Sequence, residues 1–237
     1  MKAIIFAAGY GTRLRPLTDS IPKPLIEVNG KTILQRALEQ LASAGADKIL
    51  VNTHHLHHKI KEYLEKNGNF GLDITVSHEK DCPLETGGTL KANRDFFLSG
   101  RKEPFFAVNG DILSDPDLPA LLRNHEENGA VATLAVRRRP SSRHLMFDKN
   151  MRLAGREGSV TSEGLEPYGF SCAQVISPAI FDMIKEEGIF SITEVYIRLS
   201  QETGLVRGFE DRASYWFDIG SPEKLAAAKA YFKENRL

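Results

Sequence analysis

Cysteine, net charge and long apolar runs are all scarce in this 237-residue chain, and each shortage excludes something. The two cysteines, Cys82 and Cys172, lie far apart and form no C-x-x-C pair. A disulfide framework and a zinc ribbon are thereby excluded, and a reducing cytoplasm is the expected compartment. No apolar stretch approaches the ~20 residues that cross a bilayer, so no membrane partner is expected. Residues 3–8 imitate a secretory signal, but the run stops at Gly9, short of the ~7–15 residues of an h-region, and Arg13 and Arg15 follow. It reads instead as a buried strand. Thirty-one basic residues balance 31 acidic ones, for a formal net charge of zero. That excludes a sequence-tolerant nucleic-acid binder, which needs a basic face to displace counterions. It does not exclude a small anionic substrate, because a pocket can be basic in a neutral protein. What is present, 41% hydrophobic and 26% charged residues, is the composition of an ordinary folded domain. The length allows one or two domains and buries enough surface to need no staple.

The apolar run 3–8 ends at glycine, as a central parallel strand does. Residues 9–24, rich in Gly, Pro, Thr and basic side chains, read as a long loop, and long loops in compact domains are usually functional. Residues 32–44 carry Leu34, Leu38 and Leu41 on one helical face and stop at Gly45. The spacing then predicts strands at 48–53, 72–78, 104–109 and 130–136, alternating with helices at 56–66, 89–98 and 118–128. Such alternation implies βαβ units, a mostly parallel Rossmann-like sheet flanked by helices, and ligands beyond the carboxyl ends of the strands. After residue 137 the rhythm loosens. Strands at 145–147 and 168–176, helices at 178–186 and 192–202, a strand pair ending at Asp218 and a closing helix at 222–234 are expected. No linker separates this part, so 1–237 reads as a single α/β domain with a nucleotide-binding half at 1–135 and a second half at 136–237.

Gly9-Tyr10-Gly11-Thr12-Arg13 follows the first strand but is no dinucleotide fingerprint, because the third glycine would fall at Leu14. Gly30-Lys31-Thr32 is no P-loop, because the first glycine would fall at Leu25. What remains is a glycine loop carrying Arg13, Arg15 and Lys23, with a local net of +3 over residues 1–25 (these three and Lys2 against Asp19). It reads either as a phosphate cradle or as a solvated basic loop. Asp111 ends an apolar strand, and Asp218 lies between Phe217 and Ile219; each is either a ligand for a hard cation or a turn or helix-start charge. Asp115 and Asp117 mimic a D-x-D motif but open a helix, where aspartates cap. His54, His55, His57 and His58 invite a zinc reading, yet no nearby Cys or H-E-x-x-H completes it, and a surface helix start is preferred. Asn52, at a strand end, is a candidate for nucleotide contact. Arg137, Arg138, Arg139 and Arg143 form a basic cluster, read as a solvated edge or a sugar-phosphate grip.

Ala7 to Thr18, in the wording Ala-Ala-Gly-Tyr-Gly-Thr-Arg-Leu-Arg-Pro-Leu-Thr, and then Pro22-Lys23-Pro24-Leu25 resemble the signature of the sugar-1-phosphate nucleotidyltransferases. The resemblance continues through Glu85-Thr86-Gly87-Gly88, Asn109-Gly110-Asp111 and Trp216-Phe217-Asp218-Ile219-Gly220-Ser221-Pro222. In length and wording the chain is most similar to the short N-acetylmuramate-1-phosphate uridylyltransferase-like and mannose-1-phosphate guanylyltransferase-like members. The resemblance implies transfer of a nucleotidyl group from UTP or GTP to a sugar 1-phosphate, releasing pyrophosphate, with Mg²⁺ as cofactor. It also implies roles: Arg13 on the triphosphate, Lys23 on the α-phosphate, and Asp111 with Asp218 on the metal. Ala7, Ala8, Gly9, Gly11, Thr12, Glu85, Gly87 and Gly88 would lie around the nucleotide. Asn109, Arg143, Glu166 and Ser171 are the candidates for the sugar phosphate, and the half 136–237 would bind it. No general base is expected, because the nucleophile is already an anion. Two departures stand out. The Glu-Lys-Pro motif of longer members is missing, with Tyr168 following Glu166-Pro167, and Cys172 stands where the short uridylyltransferases carry glycine. The alternatives are a cytidylyltransferase for phosphocholine or another small phosphate, for which Tyr168, Phe170 and Trp216 would form an aromatic cage, and a catalytically idle nucleotide-sensing subunit.

Overall fold

Ala3, Ile4 and Ile5 are wholly buried, and an uninterrupted apolar run of this kind suits a strand covered on both faces. In the computed structural model, which describes residues 1–235, this segment is the strand Lys2–Phe6. It pairs in parallel with Lys48–Thr53, which pairs in parallel with Asp73–His78. The fold is α/β, with a mostly parallel central sheet flanked by helices. Its residues gather into two compact units, each assembled from separated stretches of chain.

Among the described residues, the first unit comprises 1–83, 108–115 and 213–235. The helix Ile33–Ser43 starts where Thr32 accepts the amide of Gln35 at 3.0 Å and buries the stripe of leucines expected of it. Leu14, Ile26, Val28, Ile33, Leu113, Ile219 and Phe232 share one core cluster. Thus Leu14 within the basic loop, Ile26 just past it, the segment after Gly110 and the closing helix Pro222–Glu234 are fastened to one another by apolar packing. The short strand Trp216–Asp218 pairs antiparallel with Ile112–Ser114, in register from Trp216 opposite Ser114 to Asp218 opposite Ile112. This corrects the expected strand pair ending at Asp218, because the preceding strand, Val206–Glu210, pairs elsewhere. The residues 9–24 contain short helical turns, Thr12–Leu14, Leu17–Ser20 and Lys23–Leu25, where an unbroken loop is expected.

The second unit comprises residues 84–107 and 116–212. Ala132–Arg137 is its middle strand, paired antiparallel with Glu166–Ile176 and parallel with Val206–Glu210. The register of Glu166–Ile176 shifts between Phe170 and Gln174, and Cys172 inside that bulge has φ of +63°. A side chain in the left-handed region is strained, which is why glycine is favoured there. The expected helix at 178–186 reduces to the single turn Pro178–Asp182. The helix Leu118–Asn128 matches its expected span; Asp117 caps it through the amide of Ala120, and Gly129 ends it with φ of +57°. On its inner face His125 is buried between Thr133 Oγ1 (2.9 Å) and Ser177 Oγ (2.8 Å). Burial lowers its pKa to about 4. Among the described residues, no helix is long and apolar enough to cross a membrane.

Candidate functional site

The glycine loop leaves the first strand at Ala7, whose amide donates to Asn52 Oδ1 at 2.7 Å. Asn52 Nδ2 in turn donates to Glu79 Oε1 at 2.8 Å, so the ends of three adjacent strands are tied by one buried side chain. Asn52, expected at the nucleotide, is therefore engaged with protein at both ends of its amide. Ala8 is buried, while Gly9 and Thr12 are exposed; a methyl group on Gly9 would meet nothing within 4 Å, so its backbone is approachable. Gly11 has φ of +66°, and its carbonyl accepts the Thr18 hydroxyl at 2.8 Å. A Cβ there would stand 2.9 Å from Thr18 Cγ2, so both conformation and space call for glycine.

The basic loop and two strand ends meet at Lys23. This lysine is only 7% exposed. Its Nζ donates to Asp111 Oδ2 at 2.6 Å and lies 4.0 Å from Asp218 Oδ1. Asp111 reaches it because Gly110 turns the chain tightly: the Gly110 amide donates to the Phe6 carbonyl at 2.8 Å, and a Cβ there would press on that oxygen at 3.0 Å. Asp218 is fixed by its strand pairing and by the Gly220 amide, which donates to Oδ1 at 2.8 Å. The guanidinium of Arg13 lies against Gly220: a methyl there would come within 2.7 Å of Arg13 Nη2 and 2.8 Å of Asp218 Oδ1. Four residues widely separated in sequence, Arg13, Lys23, Asp111 and Asp218, are thus brought together within the first unit. Arg15, beside them in sequence, turns instead to Asp19 at 3.1 Å.

A fifth residue escaped the motifs. Lys224 Nζ donates to Asp218 Oδ2 at 2.7 Å. Burial opposes ionisation of Asp218, but the Lys224 hydrogen bond, the charges of Lys23 and Lys224 and the Gly220 amide hold its pKa below the ordinary carboxylate range. The signal was present in sequence: a lysine at the third position of a helix, where Glu or Gln is usual, is out of place unless an anion faces it. The two carboxylates offer hard oxygens within reach of one ammonium, a donor set that fits Mg²⁺, which takes one or two carboxylates and fills the rest of its shell with phosphate oxygens and water.

Several expectations change. Gly87 and Gly88 are buried, and both amides donate to the Phe190 carbonyl, at 2.9 and 3.2 Å, so they are not available as donors to a base. A side chain at Gly87 would enter the Phe190 ring; the glycine pair is a packing device of the helix Glu85–Ala92. Glu85 is exposed with φ of +57°, and no side chain caps that helix. Ser171 is wholly buried, which removes it from the surface a sugar phosphate would meet. Glu166 pairs with Arg138 at 3.0 Å, and Arg138 covers the ring of Tyr168 at 4.9 Å, so that face is closed to a quaternary ammonium. Arg139 donates to the Phe170 carbonyl, while Arg143 is exposed. Asn109 is half-buried at its strand end. Asp115 and Asp117 both accept backbone amides, from Tyr215 and Ala120. The histidines bind locally: His54 to the Glu79 carbonyl and Tyr10, His55 to the Thr18 carbonyl, and His57 to Thr53, with its ring stacked on His78 at 3.9 Å.

An α/β sheet thus carries a glycine-rich basic loop and two carboxylates close to strand ends, and the comparison with known families is specific. Residues 2–147 match the nucleotidyl transferase family model, and the chain belongs to that family. It is 32% identical over 232 residues to a mannose-1-phosphate guanylyltransferase catalytic subunit beta of Xenopus tropicalis, covering 94% of this chain and 62% of that protein. The chain therefore spans about three fifths of the length of the curated relatives it matches. The fold is shared with HddC of Yersinia pseudotuberculosis, solved with GMP-PN (TM-score 0.77, 24% identity, 98% of this chain and 99% of that one). It is shared also with the inositol-1-phosphate CTP transferase of T. maritima (TM-score 0.76, 19% identity, 98% and 96%).

Proposed function

We propose that this protein transfers a nucleotidyl group from a nucleoside triphosphate to a sugar 1-phosphate, giving an NDP-sugar and pyrophosphate. The observation that carries this reading is the buried ammonium of Lys23 shared by Asp111 and Asp218, with Arg13 beside them. An oxygen of the sugar phosphate forms the new bond to the α-phosphorus while the bond to the bridging oxygen breaks, and that oxygen's electron pair leaves with pyrophosphate. Such a reaction asks for positioning and neutralisation of charge rather than proton transfer. Lys23, rigidly held, supplies a fixed positive charge to the α-phosphate; Arg13, planar and exposed, suits the leaving pyrophosphate. Ala8, Gly9, Gly11 and Thr12 present backbone to the nucleotide, and Asn52 and Glu79 act by fixing that loop's start. Mg²⁺, held by Asp111 and Asp218, would neutralise phosphate charge and align the phosphates when bound.

The nucleotide is assigned to residues of the half 1–135, joined by Asp218 from the half 136–237, where the sugar phosphate is assigned with Arg143 as its candidate cation. Similarity to a guanylyltransferase supports GTP and mannose 1-phosphate as the first pair to test. Nucleoside triphosphates are cytoplasmic substrates, and Cys82 and Cys172 form no disulfide, in keeping with that compartment. The test is a matrix of nucleoside triphosphates against sugar 1-phosphates and phosphocholine, scored by pyrophosphate release with Mg²⁺ and with chelator. Metal-dependent release with a sugar 1-phosphate supports the reading. Release with phosphocholine alone, or nucleotide binding without release from any pair, refutes it.

A further inference from the structure

Lys224 is the third residue of the helix Pro222–Glu234, which Ser221 caps through the Lys224 amide at 3.4 Å. A cation in a first helical turn faces the positive end of the macrodipole and is disfavoured there. This one is nonetheless drawn in, its Nζ 2.7 Å from Asp218 Oδ2. The two oxygens of Asp218 are held differently. Oδ1 takes the Gly220 amide and faces Lys23, whose side chain is 8% exposed and enclosed by packing. Oδ2 takes Lys224, whose side chain is 53% exposed on a four-carbon stem free to swing. A divalent ion bound to Asp218 needs an oxygen, and Oδ2 is the one whose partner can leave.

We propose that Lys224 is an exchangeable counter-cation: it neutralises Asp218 while no divalent ion is bound, yields Oδ2 to that ion, and then takes an oxygen of a substrate phosphate. The division of labour follows from burial. Lys23 stays and keeps the carboxylates together. Lys224 leaves, so that entry of the ion turns a closed ion pair into a site with an unpaired ammonium at its rim, ready for an anion. The proposal rests on the nucleotidyl-transfer reading for its phosphate half only; the competition with metal stands independently of it.

The decisive measurement is Mn²⁺ binding to the whole protein without nucleotide, followed by the loss of the free-ion electron paramagnetic resonance signal. Lys224→Met, which keeps the apolar stem, is expected to bind Mn²⁺ about fivefold more tightly than the parent, the upper size of a half-exposed ion pair. Lys224→Arg is expected to stay near the parent. Equal or weaker Mn²⁺ binding by Lys224→Met overturns the proposal, and Lys224→Gln, tested in parallel, guards against a packing defect peculiar to methionine. For the phosphate half, at saturating metal Lys224→Met should raise KM for one phosphate substrate about tenfold, with Lys224→Arg restoring it. An unchanged KM overturns that half. Should the parent release no pyrophosphate from any pair, the functional reading fails while the Mn²⁺ comparison still upholds or overturns the exchange.

Discussion

Removing either member of the Lys23–Asp111 pair should not cost the same. Asp111→Asn leaves an ammonium whose side chain is 8% exposed, with Asp218 4.0 Å away as its remaining anion. Lys23→Met leaves a carboxylate whose side chain is 35% exposed and can be hydrated. Stranding a buried charge costs about 3–5 kcal/mol, whereas a pair open to water is worth ~1 kcal/mol or less. Asp218 moderates the first value, so about 2–3 kcal/mol is expected for Asp111→Asn. Lys23→Met, whose methionine also fills the apolar volume of the lysine stem, should lose ~1 kcal/mol. The double variant should be less destabilised than the sum of the two, because neither charge is stranded. The assay is guanidinium unfolding of the metal-free protein at neutral pH, comparing midpoints at constant slope. Equal losses for the two single variants, or strict additivity in the double, would refute the reasoning that burial of Lys23 governs this site. Turnover should separate from stability: Lys23→Met and Asp111→Asn should each fall at least ~100-fold, since both remove charge that stabilises the transition state.

Cys172→Gly should stabilise the fold by ~0.5–1 kcal/mol by releasing the strain at φ +63°, while Cys172→Ala should not; thermal melts of the two, side by side, decide it. Buried His125 takes up a proton in the unfolded chain near pH 6.5 but in the folded protein only near 4, so it favours folding above pH 6.5 and that contribution drains away between pH 6.5 and 4. The loss should approach ~3 kcal/mol at the bottom of that window, and unfolding midpoints measured across it should fall less steeply in His125→Asn. Gly87→Ala would drive a methyl into the Phe190 ring and should cost ~2 kcal/mol by denaturant unfolding; a neutral result would show that the helix Glu85–Ala92 is not seated by this contact.

What the sequence makes legible here is whatever depends on near neighbours. The strands Lys48–Thr53 and Leu145–Phe147 and the helices Leu118–Asn128 and Pro222–Glu234 stand at the expected residues, because periodicity and caps are local properties. Residues 178–186 carry apolar side chains that suggest a helix, yet only the turn Pro178–Asp182 forms, followed by an irregular stretch to Ile192–Thr203. Pairing is not local. Val206–Glu210 and Trp216–Asp218 read as neighbours in sequence, but the first binds Ala132–Arg137 and the second Ile112–Ser114, partners that no alternation of side chains can specify. The site divides along the same line. Arg13, Lys23, Asp111 and Asp218 could be singled out because each lies in a distinctive short motif. The buried bridge from the Ala7 amide through the Asn52 side chain to Glu79 could not, since it joins three strand ends that are far apart in sequence. Gly87-Gly88 shows the opposite case: glycines expected around the nucleotide have the Phe190 segment lying against them. A glycine pair reports that something approaches closely, and only the fold says whether that is a substrate or another part of the chain. Lys224 falls between these cases. Its position in the first turn of a helix is legible and electrostatically wrong for the helix alone, and that local misfit points to an anion before the anion, Asp218, can be named.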